Sequence, residues 1–291
     1  MARRQGERSR ARIARIESRR SKILDFGGEG GRSVAVAIVS TLVFFGLVVL
    51  LVVNSAGWPE VKQSFFNREV FEASFPSIAD AFLLNVKIFL IAEAVILVTA
   101  LAVAILRSLS GPVFFPLRAL AVAYTDLFRG IPTILVVYIL GFGAPALQIQ
   151  HVPTSPLFWG ITSLVLVYTA YVAEVYRAGI ESVHPSQEAA ARSLGLTRLQ
   201  ALRHVVLPQA VRRVLPPLLN DFIGLQKDTA LVALIGPVEA FRQSQIEVAG
   251  SFNYTSYVAA ALLFVALTVP LARFTDWLVL RDRRRRQAAG S

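Results

Sequence analysis

Six apolar stretches, parted by polar or basic connections, set the limits on what this chain can fold into. Ser33 to Val53 carries no charged residue, and at 1.5 Å per residue its roughly 20 residues reach across a hydrocarbon core about 30 Å thick. The remaining runs are Ala81 to Leu106, Ala119 to Phe142, Pro156 to Val175, Leu215 to Ile235 and Tyr254 to Leu278. The second holds Lys87 and Glu93, and Arg129-Gly130-Ile131-Pro132 interrupts the third. Asp221, Lys227 and Asp228 fall inside the fifth, and Arg273 lies near the end of the last. A mean hydropathy of +0.57 with 55% hydrophobic residues is too apolar for an ordinary soluble domain. The expectation is an all-α membrane protein with six spans.

Charge gives the spans a direction. Residues 1–32 hold ten Lys or Arg. Arg107 and Arg118 follow the second span, and Arg192, Arg198, Arg203, Arg212 and Arg213 follow the fourth. Arg281 and Arg283 to Arg286 close the chain, whereas the alternate connections hold only Lys62, Arg68 and Arg242. Basic residues concentrate on the cytoplasmic side of membrane proteins, so both termini and the connection after the fourth span are expected there. The net charge of +11 therefore reads as topology and contact with anionic lipid, not as nucleic-acid binding. The first span starts late, exceeds a leader's apolar region and lacks a small-residue cleavage site, so a cleaved leader is not expected. Between the first two spans, Trp58, Phe65, Phe66, Phe71 and Phe75 suggest a short amphipathic helix on the outer surface. A contact surface for a docked extracytoplasmic protein is the sharper reading of the same residues.

Catalysis is not expected of this chain. It has no Cys, and no Gly-x-x-x-x-Gly-Lys-Ser/Thr loop to cradle phosphate. His151, His184 and His204 are scattered, and no acidic cluster suggests a metal. Neither a metal nor any other cofactor is expected on the chain itself.

The connection after the fourth span is unlike an ordinary loop. Ser186 is placed to cap a helix through the Ala189-Ala190-Ala191 run. Gly195 can end it in the left-handed conformation, and a second amphipathic helix is expected from about Thr197 to Leu207-Pro208. Helix, glycine and helix make a rigid projection that transmits a push. Ser186-Gln-Glu188-Ala189-Ala190-Ala191-Arg-Ser-Leu-Gly195, with Leu207-Pro208 beyond, resembles the EAA loop of membrane subunits of ATP-binding-cassette (ABC) importers. In that family the loop docks onto a separate ATPase. One departure stands out. Counted back from Gly195, Ala189 takes the family's glutamate position, and Glu188 comes one residue early, turned by about 100° on a helix.

Other segments narrow the resemblance to permeases of the polar amino acid uptake branch. Tyr124-Thr-Asp126-Leu-Phe128-Arg129-Gly130-Ile-Pro132 is similar to that branch's E-x-F-R-G-T-P signature, with Asp126 for the glutamate. The run from Asn220 through Lys227-Asp228-Thr229-Ala230-Leu231 resembles its segment ending K-D/S-T-S/A-L, and Asn85-Val-Lys87 resembles the opening of its second span. The resemblance covers residues 80–280 and implies a type I ABC importer permease fold, a five-helix core with an additional N-terminal span at 33–53. On this reading 1–32 is a basic cytoplasmic tail, 54–79 an extracytoplasmic loop, about 178–214 the coupling loop and 281–291 a second basic tail.

An ionisable group inside a span costs roughly 2.5 to 3.5 kcal/mol on insertion scales unless it meets a partner, a cavity or the interface. Glu93, Lys227 and Asp228 are therefore candidates for the translocation path, since an amino acid zwitterion needs both signs of charge along its route. The resemblance also implies partners: two ABC ATPase subunits carrying ATP and Mg, a second permease chain (a copy or a paralogue), and an extracytoplasmic solute-binding protein. Two alternatives stay open, a permease of this architecture for another small polar solute and a secondary transporter or channel that works without an ATPase.

Overall fold

The computed structural model describes residues 30–109 and 111–289, and side chains within 34–281 except those of Ser110 and Arg198. The N-terminal basic tail up to residue 29 lies outside the described residues, and so do the side chains of Arg283 to Arg286. The described residues are helical, with no strand among them. In chain order the helices are α1 Gly30–Val53, α2 Trp58–Phe65, α3 Arg68–Ser108, α4 Phe115–Gly130, α5 Thr133–Ala146 and α6 Pro156–Glu181. They continue as α7 Pro185–Ser193, α8 Arg198–Ala201, α9 Leu207–Asp228, α10 Ala240–Ser251 and α11 Thr255–Ala289.

The chain divides into two units, residues 1–62 and 63–291. In the first, α1 presents exposed apolar side chains on every face, as a lone lipid-embedded helix would.

In the second unit α3 is the organising element. Its 41 residues measure about 60 Å, twice the thickness of a bilayer core. The helix that carries the span expected from Ala81 therefore begins a dozen residues earlier, and the connection 54–79, where a short amphipathic helix was expected, holds α2 followed by the start of α3. Asn67 caps α3 by accepting from the amides of Glu69 and Val70 at 3.0 and 3.2 Å. Its own amide donates to Thr255 Oγ1, tying the start of α3 to the start of α11.

Small residues let the helices approach closely. Ala92 and Ala100 of α3 and Ala173 of α6 are buried between Ile88, Ile96, Leu164, Val167 and Val172. A side chain at Gly160 would lie 2.6 Å from Val232 Cγ1, so α6 can pack here only without a Cβ. A second apolar cluster joins Ile78 of α3, Ala240 of α10, and Ala259 and Ala260 of α11.

Among the described residues four helices are long and apolar enough to span a membrane: Val34–Val53, Trp58–Ser108, Pro156–Glu181 and Thr255–Arg281. A fifth is broken. Phe115–Gly130 and Thr133–Ala146 qualify only together and bend by 103° between them. The run expected as Leu215 to Ile235 is instead the end of α9 followed by a 3₁₀ turn, Thr229–Ile235, and is not among the helices long and apolar enough to span. Its charged residues keep it too polar to face lipid.

Candidate functional site

The projection after α6 is built as a helix, a glycine turn and a second helix, with two changes of detail. His184, not Ser186, caps α7: its Nδ1 accepts from the Ser186 amide at 3.2 Å, and Pro185 takes the first helical position, where no amide is needed. At the other end the amide of Leu196 donates to the Ala191 carbonyl and that of Gly195 to the Arg192 carbonyl. This is a Schellman closure, and Gly195 takes the left-handed φ of +89° that it requires. A reciprocal cap then restarts the chain. The Thr197 amide donates to Gln200 Oε1, and the Gln200 amide donates to Thr197 Oγ1.

The second helix does not stop at Leu207-Pro208. A five-residue π-helical stretch, Leu202–Val206, carries α8 into α9, with Pro208 in the first turn of α9. A proline ring collides with the carbonyl four residues back in a regular helix, and the widened turn makes the room. The projection is thus continuous with the helix that re-enters the bundle.

On α7, Ala191 is buried, Ala189 and Ala190 are exposed and Glu188 is half-buried. The position where relatives of the EAA type carry a glutamate thus presents a methyl group outward, and Glu188 turns partly toward the protein. Leu194 is 84% exposed and Leu199 73% exposed on either side of Gly195. Two fully offered leucines beside a rigid turn form a surface suited to docking. Behind it, Val183, Val206 and Ala210 pack the base of the projection, and Arg213 Nη1 hydrogen-bonds the Ser182 carbonyl at the end of α6.

Three arginines converge just inside that base. Glu174 of α6 receives Arg107 Nη1 from the end of α3 at 2.7 Å, Arg177 from its own helix at 2.5 Å, and Arg129 Nη1 from the end of α4 at 3.8 Å. Arg177 also reaches Glu181. Arg129 lies over the Tyr171 ring, with its guanidinium carbon 6.0 Å from the centroid. The motif from Asp126 to Pro132 thereby acquires a geometry. Phe128 packs on the core, Arg129 points to Glu174, Gly130 ends α4, and the Pro132 carbonyl accepts the Leu135 amide to start α5 after the bend. Asp126 is exposed.

The other motif residues separate. Thr229 is fully buried and its Oγ1 accepts from Asn85 Nδ2 at 3.1 Å. The same Nδ2 donates to Glu239 Oε2 at 2.7 Å, and Asn85 Oδ1 accepts the Ala240 amide. Glu239 caps α10 through the amides of Phe241 and Arg242. Burial pushes its carboxyl above the ordinary range, while those amides and Asn85 pull it back. This lock joins α3, the 3₁₀ turn and α10. By contrast Asn220 and Lys227, two turns apart on α9, are exposed on one face. Asp228 turns inward to accept from the Tyr168 hydroxyl at 3.0 Å, so Lys227 and Asp228 point to different faces, as their adjacency requires. Glu93 is half-buried on α3, and Asp221 of α9 keeps one buried carboxylate oxygen without a hydrogen-bond partner. No group of side chains able to hold a metal ion occurs among the described residues.

Glu174 and Glu239 were missed by the sequence reading. An ionisable residue one place before the end of the Pro156 to Val175 run was a signal for Glu174. Glu239 gave none, because glutamate is not a favoured helix cap.

Residues 108–284 match the profile of the binding-protein-dependent transport system inner membrane component. The chain belongs to that family. The permease is 34% identical over 200 residues to YxeN of Bacillus subtilis (strain 168), named a probable amino-acid permease protein, covering 68% of this chain and 87% of YxeN. It is 32% identical over 216 residues to GlnM of the same organism, named a probable glutamine ABC transporter permease, covering 74% and 97%. Among solved structures, an amino acid ABC transporter crystallised with histidines superposes with a TM-score of 0.65 at 29% identity, covering 71% of the permease and 94% of that chain. The MetNI methionine ABC transporter in an inward-facing form superposes at 0.55 with 19% identity, a likeness of fold. The fold is that of a type I ABC importer permease, and the protein is a multi-pass inner-membrane transport subunit.

Proposed function

We propose that the permease forms half of a translocation unit for a polar amino acid and is driven through α7 by a separate ATPase. The observation that carries this reading is the capped, glycine-closed projection with Leu194 and Leu199 offered outward. One projection per chain calls for two permease chains, a pair of ATPases that hold ATP and Mg, and an extracytoplasmic solute-binding protein. The names of YxeN and GlnM and the Asn220 to Leu231 segment support the solute class. The cytoplasm holds both termini and the projection, in keeping with the distribution of arginine. Closure of the ATPases draws two projections together and shifts the population of helix bundles from inward- to outward-facing.

The exposed face of α9 carrying Asn220 and Lys227 lines the path, since a lysine at membrane depth is not stable against lipid. Glu93 and Asp228 contribute the opposite sign of charge from α3 and α9. Leu207 and Pro208 set the helix register by which motion of α7 reaches that face. Gly195→Trp tests the reading. A bulky residue at φ +89° costs about 1–2 kcal/mol locally and blocks the docking surface. Uptake and recovery of the ATPase with the tagged permease should be lost while membrane insertion is kept; undiminished uptake would overturn the reading.

A further inference from the structure

A groove between α9 and α11 is lined by none of the side chains assigned above to docking or to the path. Arg212, Leu215 and Leu219 line it from α9, and Leu278, Val279 and Arg281 from α11. Its volume is about 270 Å³. α9 leads in from the projection and α11 leads out to the basic tail, so both arginines mark the end of the groove nearest α7. From Arg212 to Leu219 is about 10 Å along the helix axis, and the wall between is aliphatic.

Arg281 is held in place by Trp277, whose ring centroid lies 5.1 Å from the guanidinium carbon. Tryptophan at such a position belongs to the zone where acyl chains meet headgroups. Among the described residues neither Arg212 nor Arg281 pairs with a carboxylate, and the nearby Asp276 turns to Arg273 at 3.6 Å. An apolar slot with two guanidinium groups at one end is complementary to a phospholipid whose headgroup is anionic. A zwitterionic lipid would bring its ammonium against both arginines, and a free phosphate would leave the aliphatic wall bare.

We propose that this groove binds an anionic phospholipid of the cytoplasmic leaflet. Its phosphate lies between Arg212 and Arg281, and the start of an acyl chain lies against Leu215, Leu219 and Leu278. The lipid ties α9 to α11 beside the projection. Only the choice of leaflet rests on the proposed coupling role.

Native mass spectrometry of the whole transporter complex, taken from vesicles of phosphatidylethanolamine and phosphatidylglycerol, tests this. The wild-type complex should retain phosphatidylglycerol in preference. Arg212→Gln with Arg281→Gln should weaken that preference by about thirtyfold, since each basic side chain at a membrane surface contributes about fivefold. Leu219→Trp should weaken it too by filling the slot with charge unchanged, whereas Arg68→Gln with Arg242→Gln, an equal loss of charge far from the groove, should not. Retention that survives excess inorganic phosphate identifies the lipid as the ligand. An equal preference in wild type and both groove variants, or displacement by phosphate, would overturn the proposal. Recovery of the ATPase in the same samples reports on complex integrity, and so on the importer reading, independently of the lipid count.

Discussion

Asn85 shows how a single polar side chain can hold a membrane bundle together. Its amide meets Thr229, Glu239 and the start of α10 at once, all out of solvent. Removing it takes a hydrogen bond from all three and leaves the Ala240 amide without a partner, since Thr229 keeps the Gln226 carbonyl and Glu239 keeps its two amides; a buried group left unsatisfied costs about 1–3 kcal/mol. Asn85→Ala should therefore lower the unfolding temperature of the detergent-solubilised permease sharply, and Glu239→Ala should do the same. The double variant should lose markedly less than the sum of the two, because both act on one network. Additive losses in thermal unfolding would mean that the lock does not act as a unit. The sequence marked Asn85 and Thr229 only as members of motifs, with polar residues inside apolar runs as the physical clue. What joined them was invisible, because 144 residues separate them and their shared partner Glu239 lies in a third segment.

At the scale of the helices, one ion-pair cluster joins three of them. α6 leads directly into the projection, and Glu174, two turns before its end, gathers Arg107 from α3 and Arg129 from α4. On the proposed coupling role, a pull on α7 would be passed to the ends of two other helices and to the bend between α4 and α5. Glu174→Gln weakens that joint while keeping the side chain's shape. Loss of a partner from a fully buried ion pair costs about 3–5 kcal/mol, and less here because Glu174 is 21% exposed. The expected outcome in proteoliposomes is ATP hydrolysis near the wild-type rate with several-fold less solute carried per ATP. An unchanged ratio would reduce Glu174 to a stabilising contact. The α4–α5 break was legible in Arg129-Gly130-Ile131-Pro132, since glycine and proline both stop a helix. That α3 runs unbroken from Arg68 into the span was not, because Arg68 to Asp80 mixes charges with aromatics and contains Pro76. Propensity alone reads such a segment as surface, and only packing against α10 and α11 carries the helix through it.

At the scale of the whole molecule, the arrangement has to reconcile an apolar exterior with a polar route. α1 and the exposed sides of α3 and α11 offer aliphatic residues outward, Leu262 and Val265 among them, as contact with lipid demands. Along α9 the exposed face instead offers Asn220 and Lys227. A helix that shows polar groups where its neighbours show leucine must look onto water or a second chain. The permease contains no cysteine, so this division can be read without background. Single cysteines at Asn220 and Lys227 should react with a charged, membrane-impermeant thiol reagent, and cysteines at Leu262 and Val265 should remain unmodified. Saturating ATP with the complete complex should change the rate at Lys227 and leave the lipid-facing positions silent, since alternating access moves the cavity and not the bilayer. Equal protection at Lys227 and Val265 in both states would take α9 out of the path and leave its lysine to pair across the subunit boundary.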